Sequence, residues 1–203
     1  MGRARDLANI LSSSGSVALD SEMGLSLITP TSIAVTSGSG SISATGAVSF
    51  TSASAVSLNG CFSLNYDNYL ITLSDTGSTT TQSLNLRVRA NGIDNTSTNY
   101  YGKQYGGNSD QANITTNDIV GTSLPIGIAK SGEANSCDIS IRNPFSSSLR
   151  THIYAGCSFS DGTNGRVYTY GCSLSVTTSY DGITIFPASG TITGSIRVYG
   201  YRN

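Results

Sequence analysis

From about residue 47 onward, apolar and polar positions alternate with the period of two that puts successive side chains on opposite faces of a β-strand. In Ser83–Ala90, Leu84, Leu86, Val88 and Ala90 share one face, and Asn85, Arg87 and Arg89 the other. Ser136–Asn143 repeats the scheme, with Cys137, Ile139 and Ile141 inward and Asp138, Ser140 and Arg142 outward. Tyr69, Ile71 and Leu73 form one face of NYLITL, and Ile196 and Val198 face away from Arg197 and Tyr199 in GSIRVYGY. AVSF, HIYAGCSF, RVYTYGCSLSV and GITIF are further candidates. The clusters SDTGS, ANGID, GGNSD, SDGTNG and SYDG supply turns between them. No segment in this region keeps a helical period. About eight to ten short strands with closely spaced turns predict an antiparallel sandwich of jelly-roll type, not a solenoid. Its last strand is expected to be pinned in a sheet.

The first part of the chain has a different texture. Ala4, Leu7, Ala8 and Leu11 recur at helical spacing, which fits a short amphipathic helix over residues 1–12 that needs a partner surface to hold it, the alternative being a frayed terminus. Residues 12–46 scatter Val17, Leu19, Met23, Leu25, Leu27, Ile28, Ile33, Val35 and Ile42 among Ser, Gly and Thr. That is too apolar for a solvated linker and too dispersed for a core of its own. Two regions follow: an extended N-terminal attachment segment, residues 1–46, and a β-sandwich display domain, residues 47–203.

Composition narrows the function. Charged residues are 11% of the 203, and the formal net charge is −1. Neither value suits general attraction to nucleic acid or to an anionic membrane, and no run of about 18 apolar residues offers a membrane span. The start has two arginines but not the apolar stretch of a secretory signal, so synthesis and retention in a reducing cytoplasm until release are expected. Cys61, Cys137, Cys157 and Cys172 have no metal or redox spacing. Cys137 and Cys172 read as small buried hydrophobes.

Catalytic patterns are absent from the sequence. The single histidine, His152, lies in an alternating stretch and reads as a sheet residue instead of part of a triad. No metal ligand set and no phosphate loop is visible. The acids Asp75, Asp94, Asp161 and Asp181 sit in turn contexts, where the side chain caps its own backbone. No cofactor is expected. The one stretch with recognition character is residues 97–118, a long polar loop holding Tyr100, Tyr101 and Tyr105 among Asn, Gln, Gly and Ser. Tyrosines in such surroundings provide amphipathic contact area at low entropic cost and could hold a sugar; alternatively they pack back onto the sandwich.

Four stretches, GRARDLANIL, FSLNYDNYLITLSDTGS, LNLRVRANGIDNTSTNYY and TGSIRVYGYRN, give the chain a resemblance to small virion structural proteins of tailed bacteriophages, of the tail-fibre or head-decoration type. The resemblance covers both ends and residues 62–101. It implies a non-enzymatic virion protein, assembled in the host cytoplasm, trimeric, and in contact with other virion proteins. Arg3, Arg5, Leu7, Ile10 and Leu11 would dock the chain, and Tyr100, Tyr101 and Tyr105 would meet a glycan or protein of the host surface. A short tail fibre, a capsid decoration or head fibre, and a carbohydrate-binding module all stay open at this point.

Overall fold

Sixteen strands and no helix make up the described residues, 24–108, 114–160 and 163–201, of the computed structural model. The larger sheet runs in spatial order β10 (Ile114–Gly121), β9 (Tyr100–Asn108), β14 (Gly165–Leu174), β13 (His152–Ser160), β12 (Asn135–Arg142), β6 (Asn68–Ser78), β16 (Ile192–Tyr201), β4 (Val48–Ala53) and β3 (Ser39–Ile42). Its tenth strand, β1 (Leu25–Ile28), pairs with the end of β16 beyond β4. The smaller sheet runs β11 (Leu124–Ala129), β7 (Gln82–Ala90), β15 (Gly182–Pro187), β5 (Ala55–Asn59) and β2 (Ser32–Thr36). A short sixth strand, β8 (Ile93–Asp94), pairs with the tip of β7. Pairing between all these strands is antiparallel.

The strand order is that of a jelly roll with additions. Strands β4-β16-β6-β12 and β5-β15-β7-β11 are its two facing halves, and the chain passes between them at β4–β5, β5–β6, β6–β7, β11–β12 and β15–β16. Two hairpins extend the larger half: β13–β14 from the connection after β12, and β9–β10 from the connection after β8. They zip together through β14 and β9.

Alternation decides which way each strand faces. Tyr69, Ile71, Leu73, Cys137, Ile139, Ile141, Ile196 and Val198 of the larger sheet are buried against Leu84, Leu86, Val88, Ile183 and Ile185 of the smaller. Removing an aliphatic side chain of this size from water stabilises the fold by about 1.5–3 kcal/mol. The stretch Phe62–Tyr69 closes one end of this core. The Tyr69 hydroxyl accepts from the Ser63 amide (2.8 Å) and donates to the Ser63 carbonyl (3.0 Å), and the Phe62 and Tyr69 rings meet edge to face at 4.6 Å.

The structure corrects three sequence expectations. The sheets do not begin at residue 47, because β1, β2 and β3 bring residues 25–42 into both of them. The ladder of β16, a partner far away in sequence, is what fixes β1. Residues 97–118 are not a loop; most of them form β9 and β10, with Gly102 and Gly106 allowing close approach. A Cβ on Gly106 would fall 2.1 Å from the Tyr168 ring. Finally, the sixteen strands exceed the expected number because short or glycine-rich ones have weak local signals. The helix expected over residues 1–12, with Arg3, Arg5, Leu7, Ile10 and Leu11, lies outside the described residues.

Candidate functional site

The three tyrosines of β9 separate by strand phase. Tyr100 points inward and is fully buried. Its hydroxyl accepts from the Val88 amide at 3.1 Å and donates to the Asn95 carbonyl at 3.2 Å. Val88 lies where β11 has ended and β8 has not begun, so Tyr100 fills a gap in the ladder of the opposite sheet. Burial pushes its phenol well above the ordinary range. Tyr100 is therefore a core residue and leaves the expected contact set. Tyr101 and Tyr105 are on the outer face, 45% and 53% exposed. Beside them the exposed Lys103 and Asp118 pair across β9 and β10.

Further along the same outer face lies a patch that sequence reasoning missed. In register across β12, β13 and β14, Arg142, His152 and Ser173 form one row. Ser140, Tyr154 and Gly171 form the next, and Asp138, Gly156 and Thr169 the third. Tyr154 stands at the centre, 56% exposed. Gly156 and Gly171 beside it have open space where a side chain would be. Two shallow depressions meet at Tyr154 and Ser140. One, of about 550 Å³, is lined by Arg142, Asn143 and His152; the other, of about 380 Å³, by Asp138, Gly156 and Ser158. No intrachain hydrogen bond or ion pair engages the side chains of Arg142, His152, Tyr154 or Asp138 among the described residues. Only the pairing register could have revealed the cluster, because Arg142 and Tyr154 belong to different strands.

The outer face of the smaller sheet is wired internally. The hairpin between β7 and β8 turns at Asn91 and Gly92, both with positive φ (52° and 78°), as the sequence ANGID signals. This turn sets Asp94 directly opposite Arg89. Arg89, 8% exposed, donates to Asn59 Oδ1 (3.1 Å), Ser57 Oγ (2.9 Å), Thr184 Oγ1 (2.6 Å), Asp94 and the Gly92 carbonyl. Arg87 lies over the Phe186 ring at 4.5 Å and donates to the Thr122 carbonyl.

All four cysteines are buried free thiols. Cys137 and Cys157 face each other across β12 and β13 and fill the space over Gly127, where a Cβ would lie 3.0 and 3.1 Å from their sulfurs. Among the described residues no three His, Cys, Asp or Glu side chains gather in a way that could hold a metal ion.

No family model matches the chain, and no curated protein matches it. Among solved structures it is similar to a protein of unknown function from Shewanella oneidensis MR-1, at 10% identity and a TM-score of 0.24, over 94% of this chain and 84% of that one. It is also similar to an endo-1,3-beta-glucanase from Streptomyces sioyaensis, at 10% identity and a TM-score of 0.19, over 89% of this chain and 90% of that one.

Proposed function

We propose that the chain is a non-enzymatic structural protein of a bacteriophage virion, a short trimeric tail fibre that attaches through its N-terminal residues and presents its larger sheet to the host surface. The observation that carries this reading is the division of one sheet face into two unlike halves. Where residue 24 enters the fold, β1 and β16 expose an apolar strip of Leu25 (44%), Leu27 (39%) and Tyr201 (38%). Exposed apolar area of this kind suits contact with protein. Three strands away, the face becomes polar and tyrosine-bearing around β13. The halves are about 14 Å apart at the usual strand spacing. One half suits assembly and the other display. A capsid decoration protein would use the same two halves, differing only in where the strip docks.

Purified particles test the reading. A chain truncated before residue 24 keeps all sixteen strands and should fold but fail to join particles. Leu27→Asp should turn a trimer into a monomer in sedimentation velocity without lowering the unfolding midpoint. Absence of the intact protein from purified particles would overturn the proposal. Labelling its position on the particle distinguishes tail from capsid.

A further inference from the structure

We infer that the patch centred on Tyr154 binds an acidic oligosaccharide, with the ligand's carboxylate at the Arg142 and His152 end and its neutral hydroxyls at the Asp138 end. The inference rests on the display role proposed above for this half of the sheet, and it names the ligand class.

The geometry is that of an oligosaccharide lying along the strands. Tyr154 is exposed at the centre, and Gly156 and Gly171 leave the space on its flanks empty. A phenol ring standing over such a floor offers a flat apolar surface, which matches the C–H face of a pyranose while leaving the sugar's hydroxyls at the edges. Ser140 and Ser158 stand at those edges and can donate and accept, while Thr169 and Ser173, whose hydroxyls donate to the Tyr105 and Leu174 carbonyls, can accept. Arg142 and Asp138 lie four residues apart on one strand, which separates the two ends by about 13 Å, the length of a disaccharide with its substituents.

Charge sets the direction and the class. Arg142 presents a planar fork that takes a carboxylate through two parallel hydrogen bonds, and His152, directly opposite it, adds a ring N–H. Among the described residues the side chains of Arg142, His152, Tyr154 and Asp138 make no hydrogen bond or ion pair, unlike Arg89 on the opposite sheet. The Asp138 end repels a second negative charge and accepts hydroxyl protons. A dianionic phosphate or a nucleic acid strand would meet that carboxylate unfavourably, and the overall net charge of −1 gives neither a compensating attraction. An apolar peptide would find Tyr154 and Val167 interspersed with the charged and hydroxyl side chains of Arg142, His152, Asp138 and Ser158.

The test uses the full-length chain, ¹⁵N-labelled, titrated with cellobiouronic acid (glucuronate linked to glucose) and with cellobiose, two disaccharides that differ in one carboxylate. The acid should bind roughly tenfold tighter, since a charge-assisted bidentate pair is worth more than about 1.4 kcal/mol. The perturbed amides should cluster on β12, β13 and β14. Arg142→Gln should remove the preference for the acid, so that the two disaccharides bind with equal affinity. Tyr154→Ala should weaken both ligands by about tenfold or more, as loss of a central aromatic contact does. Both side chains are exposed, so thermal unfolding of the two variants should match the parent. Equal affinity for the two disaccharides, saturable binding centred on the smaller sheet, or no saturable binding of either would overturn the inference. Binding by a protein absent from particles would remove the virion proposal and leave this site standing. Incorporation into particles without binding would do the reverse.

Discussion

Each sheet of this sandwich turns an arginine outward, and the two arginines have opposite fates. Arg89, on the smaller sheet, is covered by the β7–β8 hairpin and gives its donors to Asn59, Ser57, Thr184, Asp94 and Gly92. Arg142, on the larger sheet, lies in the open beside His152 and Tyr154 with no side-chain partner among the described residues. The difference is one of local topology. A tight Asn-Gly hairpin returns a carboxylate to Arg89 within five residues, whereas Arg142 ends its strand beside a histidine. Polar groups consumed inside the fold hold strands together. Those left unsatisfied are available to something else.

The comparison is broken most severely from beneath both faces. Ile139 is fully buried, and Ile139→Asp puts an unpaired carboxylate between the sheets, so the protein should fail to fold or should hold that carboxyl protonated. Loss of the near-UV signal and of a cooperative urea transition is the expected observation. Arg89→Met should cost about 3 kcal/mol or more, because Asp94 and the hydroxyls of Ser57 and Thr184 lose their common donor. A urea midpoint equal to that of the parent would show that the network does not hold the smaller sheet.

Alkaline pH probes the interior by another route. Burial, with the nearby Asp181 charge, pushes the Cys61 thiol up to about 12, and burial does the same to Cys172. The unfolded chain releases these protons near the ordinary value of 9.0, while the folded chain retains them. Stability should therefore be full below pH 9 and decline between pH 9 and 12, by up to about 1.4 kcal/mol per pH unit for each thiol. Denaturation curves at successive pH values measure it, and Cys61→Val should flatten the slope.

Tyr100→Phe removes one hydroxyl and leaves the Val88 amide without its acceptor, a loss of about 1–2 kcal/mol visible as a lower urea midpoint. At the small end, Arg142→Gln, Tyr154→Ala and Lys103→Gln should leave the midpoint unchanged, since exposed groups of this kind hold little of the fold together. A clear loss of stability in either of the first two would mean that the outer patch of the larger sheet is structural after all.

The sequence alone conveyed the phase of the central strands. Leu84, Leu86 and Val88, Cys137, Ile139 and Ile141, and Ile196 and Val198 are buried as their alternation predicts, because a strand with one face on a core must obey a period of two. It conveyed less wherever a distant partner decides the outcome. Asn85 was assigned to an outer face and lies on one, yet it is 9% exposed, since the surroundings of that face were invisible from local pattern. Asn85→Asp is accordingly no silent change, as its side-chain amide donates to the Ser83 carbonyl. Tyr100 and Tyr101 are neighbours of the same type; strand phase turns one inward, where its hydroxyl meets the otherwise open Val88 amide, and the other outward. The Tyr154 patch was illegible for a related reason. Its members come from three strands, and a shift of register by one residue would scatter them.

The place of β16 carries a consequence for how the protein is made. Residues 192–201 fill the middle of the larger sheet, bonded to β6 on one edge and to β4 and β1 on the other. Until the ribosome has delivered them, β6 and β4 each present an unpaired edge, and the inner faces have no Ile196 or Val198 to close over. Closure of the larger sheet must therefore await synthesis of β16. The nascent chain spends that interval with exposed strands that can pair with a neighbour, and a topology so rich in long-range contacts then closes slowly. Synthesis at high local concentration should favour tangled intermediates, and a pulse-labelled chain should gain protease resistance only after Tyr201 has emerged.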